Sequence, residues 1–472
     1  VDTRYVTRET DKVILDLREY NVGQTLVYFE DTSAGMGYVT ASIGGSTWTQ
    51  MGSAIDFTNP DTVAGSNANI ITVHENVYEY NGSSWIGKGT LPINVSASTY
   101  SGTICSLSDD GLTLAIAYDT DSNNTNETVE TYKWNDGWTL QGSIQYETNG
   151  FIRPIQRILK ISGDGNVVVL GLWLSSLGTV QIFSWSGSAW TLDYSYTNTS
   201  TDTIVGVRLG WSIDCSIDGN MVLASGGDGY SSPSLFVKSN SSYLLQNPNV
   251  FPTPSSSYIT GSISSDGSCV VFFYSNDPEN DPGYHYEIFS YNGSIWSKKG
   301  SDISSNFNFD TGYHYHLNHN ATVFINNDGS EVTTSNVNFD SHDLSGTCYN
   351  NTYKFDGTDW VKTTSVNVQS VYESAEPSQY VSSDGSLLVV ADRGYANKVY
   401  VYKNRITQVN YLVTVSGDPA VFYIDGTLQL QIDFTADTTY VFDQSDPLNA
   451  GYQIVFGLEP DAESNYITGK TI

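Results

Sequence analysis

The chain has 472 residues, enough for two or three ordinary domains or one large repeat domain with additions; it is rich in Gly (42), Tyr (33) and Trp (10) but carries only 20 Lys and Arg. Its formal net charge of −31 excludes bulk electrostatic binding to nucleic acid or anionic membrane, because both partners are polyanions. Such acidity suits plain solubility, or a surface adapted to salty or calcium-rich water.

The N-terminus begins with Val and shows no secretory leader, which reads as a processed or internal start. Residues 1–33 form an N-terminal extension without a repeat signature. The longest apolar runs, such as Val167–Leu174, are too short to cross a bilayer. Apolar residues do not recur at helical spacing, whereas Tyr, Trp, Val and Thr suit half-buried strands. The expected class is all-β.

From about residue 34 two landmarks recur. One is a [S/N]-x-D-G turn between apolar strands: Ser108–Gly111, Ser162–Gly165, Ser216–Gly219, Ser264–Gly267, Asn326–Gly329 and Ser382–Gly385, with Asn59–Thr62 read as a decayed copy. The marker aspartates, from Asp61 to Asp384, step by 48 to 62 residues. The other landmark is a hairpin turn followed by an aromatic, x-G-[S/T]-x-W, ending at Trp48, Trp85, Trp190, Trp296 and Trp360, with altered copies at Trp138 and Tyr243. Asp-Gly and Asn-Gly are favoured in tight hairpins because both central residues must take positive φ.

Each unit then reads as four strands, in the clearest copy Thr103–Leu107, Leu112–Tyr118, Thr128–Trp134 and Trp138–Ile144. Four-stranded units at this period predict propeller blades. The last turn, at Asp384, has no Gly-x-Trp strand after it, and Trp48 has no Asp-Gly unit before it. Strand Trp48 should therefore complete the last blade and close a seven-bladed ring over 34–405.

Both landmarks stop near residue 405. Residues 406–472 alternate like strands, as in Gln429–Phe434 and Thr439–Phe442, and predict a small β-sandwich-like module. It ends without a finishing strand, so the chain is expected to continue. So small a module should gain stability from a neighbour or from a strand of another chain.

The repeats over 34–403 resemble propeller repeats of secreted proteins from marine bacteria, diatoms and large algal viruses, and are similar in look to FG-GAP blades. Tyr411–Gly457, with Phe422–Gly426 and the unusual Phe442–Asp446, is similar to a β module of marine phage and algal virus structural proteins. It departs from that module at Tyr452-Gln453-Ile454, where a His-Pro-Leu stretch is expected. The resemblance implies a virion-surface or extracellular component, bound to other structural proteins or to surface glycans within a larger assembly.

The chemistry on offer is sparse. No GxSxG, HExxH or P-loop is present, and the repeated aspartates serve turns, so the expected protein is not an enzyme. A carbohydrate-active enzyme or lectin using the channel mouth is the rival reading. No cofactor is required, and calcium is the one ion with a candidate loop: Asp119, Asp121 and Asn123, with Glu130 at the twelfth place. His314 and His316 alternate along a strand and would share a face toward a metal. Nine sequons would carry sugar if the protein is secreted by a eukaryote: Asn81, Asn94, Asn123, Asn126, Asn198, Asn240, Asn292, Asn320 and Asn350. Four cysteines allow three pairings, and buried free thiols are an equal alternative.

Overall fold

A computed structural model describes residues 6–8, 12–16, 25–30, 36–42, 47–57, 63–93, 104–119, 127–144, 159–174, 177–197, 209–226, 233–246, 251, 258–275, 284–305, 322–339, 345–372, 378–392, 397–405, 408–416, 421–424, 427–428, 432–435, 439–443 and 454–457, with side-chain detail within 48–404. Among these residues every regular element is a strand. The chain divides into two units, the larger comprising Trp48–Tyr353 and Ser365–Asn404 and the smaller drawing on both chain ends.

The larger unit is a seven-bladed β-propeller of antiparallel four-stranded blades. Blade 1 runs Val63–Gly65, Ile70–Val73, Asn76–Tyr80, Trp85–Thr90, and blade 2 repeats the order with Ile104–Leu107, Thr113–Asp119, Glu127–Trp134, Trp138–Ile144. Blades 3 to 6 follow, their first strands being Leu159–Ile161, Leu209–Cys215, Tyr258–Ile263 and Thr322–Ile325. Blade 7 takes three strands from Ser378–Val381, Leu387–Asp392 and Lys398–Arg405, and its fourth from Thr47–Gln50. Trp48 therefore shares a blade with the Asp384 turn, as the offset between the two landmarks required.

The five Ser-x-Asp-Gly turns share one arrangement, and at Asn326–Gly329 the Asn326 side-chain oxygen accepts Glu331 N at 2.8 Å while Ser330 Oγ donates to Asp328. The serine hydroxyl donates to the aspartate and accepts the backbone N–H five residues on: Ser162 Oγ to Asp164 Oδ1 is 2.6 Å, and Val167 N to Ser162 Oγ is 2.9 Å. The aspartate then accepts the N–H of the residue after the glycine, 3.0 Å from Asn166. The five turn serines are buried, so these bonds satisfy groups that would otherwise be costly to desolvate. The aspartates are thereby turn residues, which is the role their spacing indicated.

The copy in blade 1 is not Asn59–Thr62, which lies outside the described residues. It is Ser66–Asn69, where Ile70 N donates to Ser66 Oγ at 3.3 Å and Asn69 takes φ 57° in place of glycine. Asn is among the few side chains that tolerate this region, so the turn survives without its Asp-Gly signature.

A turn glycine also meets the preceding blade. At Gly219, φ is +66° and an added Cβ would lie 2.5 Å from Val167 Cβ and Cγ2. Gly219→Ala is expected to destabilise the propeller by roughly 2–4 kcal/mol, from positive-φ strain plus overpacking against a β-branched side chain. Equilibrium urea unfolding checks this; an unchanged midpoint would refute the packing argument.

Apolar clusters fill the spaces between blades. Val168, Leu170 and Phe183 of blade 3 pack on Ala115, Ala117 and Val129 of blade 2. Leu387, Val389 and Val401 of blade 7 pack on Ile71 and Val73 of blade 1. Blade 6 departs from this pattern: Thr333, Thr334, Ser335, Asn350, Asn351 and Thr352 are buried there. The fourth-strand aromatics stitch neighbouring blades. Trp190 Nε1 donates to Thr131 Oγ1 at 2.7 Å, Trp85 Nε1 to the Met51 carbonyl at 2.7 Å, and Trp48 Nε1 to Thr352 Oγ1 at 3.0 Å.

The smaller unit contains two sheets. One has the order 6–8, 12–16, 439–443, 408–416, 421–424, 427–428; the other has 432–435, 36–42, 25–30, 454–457. The sequence reading set residues 1–33 apart as an extension and placed 34–47 in the propeller. Strand pairing instead joins Lys12–Asp16 to Thr439–Asp443, Thr25–Glu30 to Ile454–Gly457, and Met36–Ser42, in parallel, to Ile432–Thr435. The strands that complete the C-terminal module come from the chain's own N-terminus.

Candidate functional site

The first strand of each blade lies innermost, next to the first strands of its neighbours. Two residues before each turn serine or its equivalent, the first strand of every blade carries a residue at the same place. In blades 2 to 5, one side of the ring, these residues are Ser106, Lys160, Asp214 and Ser262; in blades 6, 7 and 1, the other side, they are Phe324, Tyr380 and Ala64.

The polar side is a chain of interblade bonds. Ile161 N of blade 3 donates to Ser106 Oγ of blade 2 at 3.1 Å. Lys160 Nζ pairs with Asp214 Oδ1 of blade 4 at 2.8 Å. Asp214 Oδ2 in turn accepts Ser262 Oγ at 2.7 Å and Ile263 N at 3.1 Å, both from blade 5. Cys215 N reaches Asp214 Oδ1 at 3.0 Å, so both oxygens of this carboxylate are saturated. Burial, the largest single influence, would lower the Lys160 pKa, but Asp214 together with Tyr380 and Cys215 holds the ammonium above the usual lysine range.

The apolar side is aromatic. Phe324 and Tyr380 have ring centroids 6.4 Å apart, and Tyr380 lies over Gly65, where an added Cβ would meet its ring at 3.2 Å. Burial raises the Tyr380 pKa, so its phenol stays protonated at neutral pH.

One layer toward the turns, Asp109 of blade 2 extends over Gly163 of blade 3. A Cβ on Gly163 would lie 2.7 Å from Asp109 Oδ2, so only glycine leaves room for the carboxylate. Burial raises the Asp109 pKa, while Ser383 and Lys160 pull it down. Backbone bonds link the turns themselves: Asn67 N to Asp109 O at 3.0 Å, Asp109 N to Gly163 O at 2.9 Å, and Asp164 N to Ile217 O at 2.9 Å.

The residues singled out from sequence fare differently. Asp119 ends a strand opposite Glu127, and Asp121 and Asn123 lie outside the described residues. Glu130, the twelfth place of the calcium loop, accepts Tyr118 Oη at 2.8 Å and Tyr132 Oη at 2.6 Å, so its carboxylate serves a tyrosine pair within blade 2. His314 and His316 lie outside the described residues, as do Asn94, Asn126, Asn198 and Asn320. Asn81 and Asn292 are exposed hairpin residues whose side-chain oxygens accept turn N–H groups at 2.9–3.0 Å, and Asn240 is exposed in a turn at φ 59°.

Asn350 overturns its sequon. It is fully buried, with Nδ2 donating to Cys348 Sγ at 3.4 Å, so the folded blade has no room for a glycan there. All four cysteines are buried and free, and none is in a disulfide. Burial pushes the thiol of Cys105 up to about 12 and that of Cys348 up to about 11, which keeps both protonated and unreactive.

Sequence reasoning missed Lys160, Asp214, Asp109 and Tyr380. A signal existed, since three of them occupy one place relative to the turn serine once the repeats are aligned.

No family model matches the sequence, and no curated protein matches it. Among solved structures the chain is similar to the Dos1 propeller, with 11% identity, 75% of this chain and 95% of that chain covered, and a TM-score of 0.45. It is similar to a chain of the mitotic checkpoint complex, with 12% identity, 75% and 94% covered, and a TM-score of 0.47. It is also similar to a chain of hydrazine synthase from Kuenenia stuttgartiensis, with 11% identity, 74% and 97% covered, and a TM-score of 0.43. The likeness concerns the fold alone.

Proposed function

We propose that the protein is a non-enzymatic structural or adhesive component of a virion surface or extracellular assembly, presenting one end of its propeller to proteins or glycans. The observation that carries this is the unequal length of the connections at the two ends. At one end every blade closes with tight turns, bonded to one another around the axis. The second-to-third strands and the strands joined from blade to blade have their connected ends opposite those turns, and in sequence these connections include the long segments 145–158, 198–208 and 306–321. Long, polar connections on a rigid scaffold are where recognition concentrates.

Within 48–404 of the sequence the arginines are Arg153, Arg157, Arg208 and Arg393, and each falls between strands, three of them in the connections from one blade to the next. Arginine supplies planar donors to carboxylates and sulfates, so an otherwise acidic sequence keeps this resource in its connections.

The test replaces 145–158 and 306–321 with short Gly-Ser linkers and measures melting temperature and binding to the source particle or cell surface. Retained stability with binding weakened at least about tenfold is the expected result. Undiminished binding would overturn the reading. Turnover of algal polysaccharide by the intact protein would favour the enzyme instead.

A further inference from the structure

We propose that the propeller has a built-in point of opening, the seam between blades 6 and 7, where the ring parts before its other seams do. This conformational device stands independently of the surface role proposed above.

The case begins with the face that blade 6 turns toward blade 7. The middle strands of blade 6 are Glu331–Phe339 and Ser345–Phe355, and alternate residues on a strand share a face. Thr333 Oγ1 lies 3.2 Å from Thr352 Oγ1, and Cys348 Sγ lies 3.4 Å from both Ser335 Oγ and Asn350 Nδ2, so these five residues form one face. That face meets blade 7, because Trp48 Nε1 donates to Thr352 Oγ1 and Gln379 Nε2 donates to Cys348 Sγ.

Blade 3 shows what the same positions hold elsewhere. Counted from the turn glycine, Thr333 occupies the place of Val169, and Thr352 lies beside it as Ile182 lies beside Val169. Asn350 then stands at the place of Val180. In blade 3 these valines and Ile182 pack on Val222, Ala224 and Phe236 of blade 4. Where blade 3 offers its neighbour aliphatic side chains, blade 6 offers hydroxyls and an amide.

Blade 7 does not answer in kind. It brings Leu388, Val390 and Tyr402 to the seam, and blade 6 adds Val368 from its outer strand. An apolar face thus lies against a largely polar one. Among the described residues, Asn350 Oδ1 and Gln379 Oε1 meet no hydrogen-bond donor. Parting an aliphatic seam exposes apolar surface to water on both sides. Parting this one exposes it mainly on one side, and gives water to acceptors that the closed ring leaves unsatisfied. Trp48, which ties the seam, also sits on the strand that no hairpin joins to the rest of blade 7. Local opening follows the least apolar contact, and that contact is here.

The cysteines are native reporters of separate seams. Cys105 lies between blades 1 and 2, Cys215 between blades 3 and 4, and Cys348 between blades 6 and 7. Cys269 of blade 5 lies against the turn glycine Gly329 of blade 6. The experiment is thiol labelling of the full chain by a water-soluble maleimide without denaturant, followed over time by peptide mass spectrometry. Cys348 should be modified at least about tenfold faster than each of the other three. Static exposure predicts the reverse order, since Cys348 is 0% exposed while Cys105 and Cys215 are each 6% exposed. Thr333→Val with Asn350→Val copies blade 3, and should slow Cys348 labelling at least about tenfold while leaving Cys105 and Cys215 unchanged. Should that pair fail to fold, the labelling order in the parent decides by itself. If Cys348 reacts no faster than Cys105 or Cys215, if all four react at one rate, or if the folded double variant labels like the parent, the proposal falls.

Discussion

Residues 58–405, expressed without the segment before them, are expected to lose the cooperative unfolding transition expected of 47–405. The reason is the seam. Without Thr47–Gln50, blade 7 has three strands and a bare edge at Lys398–Arg405. Met51 N no longer reaches the Val401 carbonyl at 2.8 Å, and the indoles of Trp48 and Trp85 lose their ties to blade 6 and the closing segment. Met51 is 5% exposed in the cluster joining blades 7 and 1, and Ile55 and Phe57 pack against the same cluster.

At about 1.5–3 kcal/mol for each buried apolar side chain, losing Trp48, Met51, Ile55 and Phe57 removes roughly 5–10 kcal/mol. That is comparable to the whole stability of a typical domain, about 5–15 kcal/mol. Guanidinium unfolding followed by tryptophan fluorescence compares the two fragments. Equal midpoints would show that the ring does not depend on its closing strand. The single change Trp48→Ala in the full chain is expected to cost about 3 kcal/mol by the same reasoning.

The second large effect concerns the other unit. Residues 408–472 alone are expected to be unfolded, and fusion to residues 1–42 is expected to restore a folded module. In the second sheet, Ile432–Thr435 pairs with Met36–Ser42 and Ile454–Gly457 pairs with Thr25–Glu30, so the isolated C-terminal segment leaves both strands without partners. The first sheet loses Lys12–Asp16 from the flank of Thr439–Asp443. About 65 residues hold a marginal core at best, and here one sheet of two disappears. Far-UV circular dichroism with thermal unfolding checks both constructions. A cooperative transition in 408–472 by itself would overturn the assignment of the N-terminal strands.

The parts of this protein that a reader could take from its sequence are those whose cause is local. A Ser-x-Asp-Gly turn is specified within six residues, by a hydroxyl, a carboxylate and a glycine at positive φ, as Ser162–Val167 shows. Repetition of that local cause sets the period, and the offset between turn and tryptophan landmarks implies closure by Trp48. Where the local cause changed, reading failed. Ser66–Asn69 keeps the geometry with Asn in place of Gly, and so carries none of the signature that Asn59–Thr62 partly retains.

What only tertiary structure decided is what depends on partners far along the chain. Asn350 carries a sequon, but burial between blades removes it from solvent, and no tripeptide records that. Glu130 has the spacing of a calcium ligand, yet Tyr118 and Tyr132 claim its carboxylate. Lys160 and Asp214 read as ordinary strand residues until adjacent blades bring them within 2.8 Å. The pairing of Lys12–Asp16 with Thr439–Asp443 joins segments at opposite ends of the chain. Alternating strand patterns show which face is apolar but not which edge will be the neighbour. That choice is made by the ring itself, which returns residue 405 to the blade where residue 47 begins and so brings the two chain ends together.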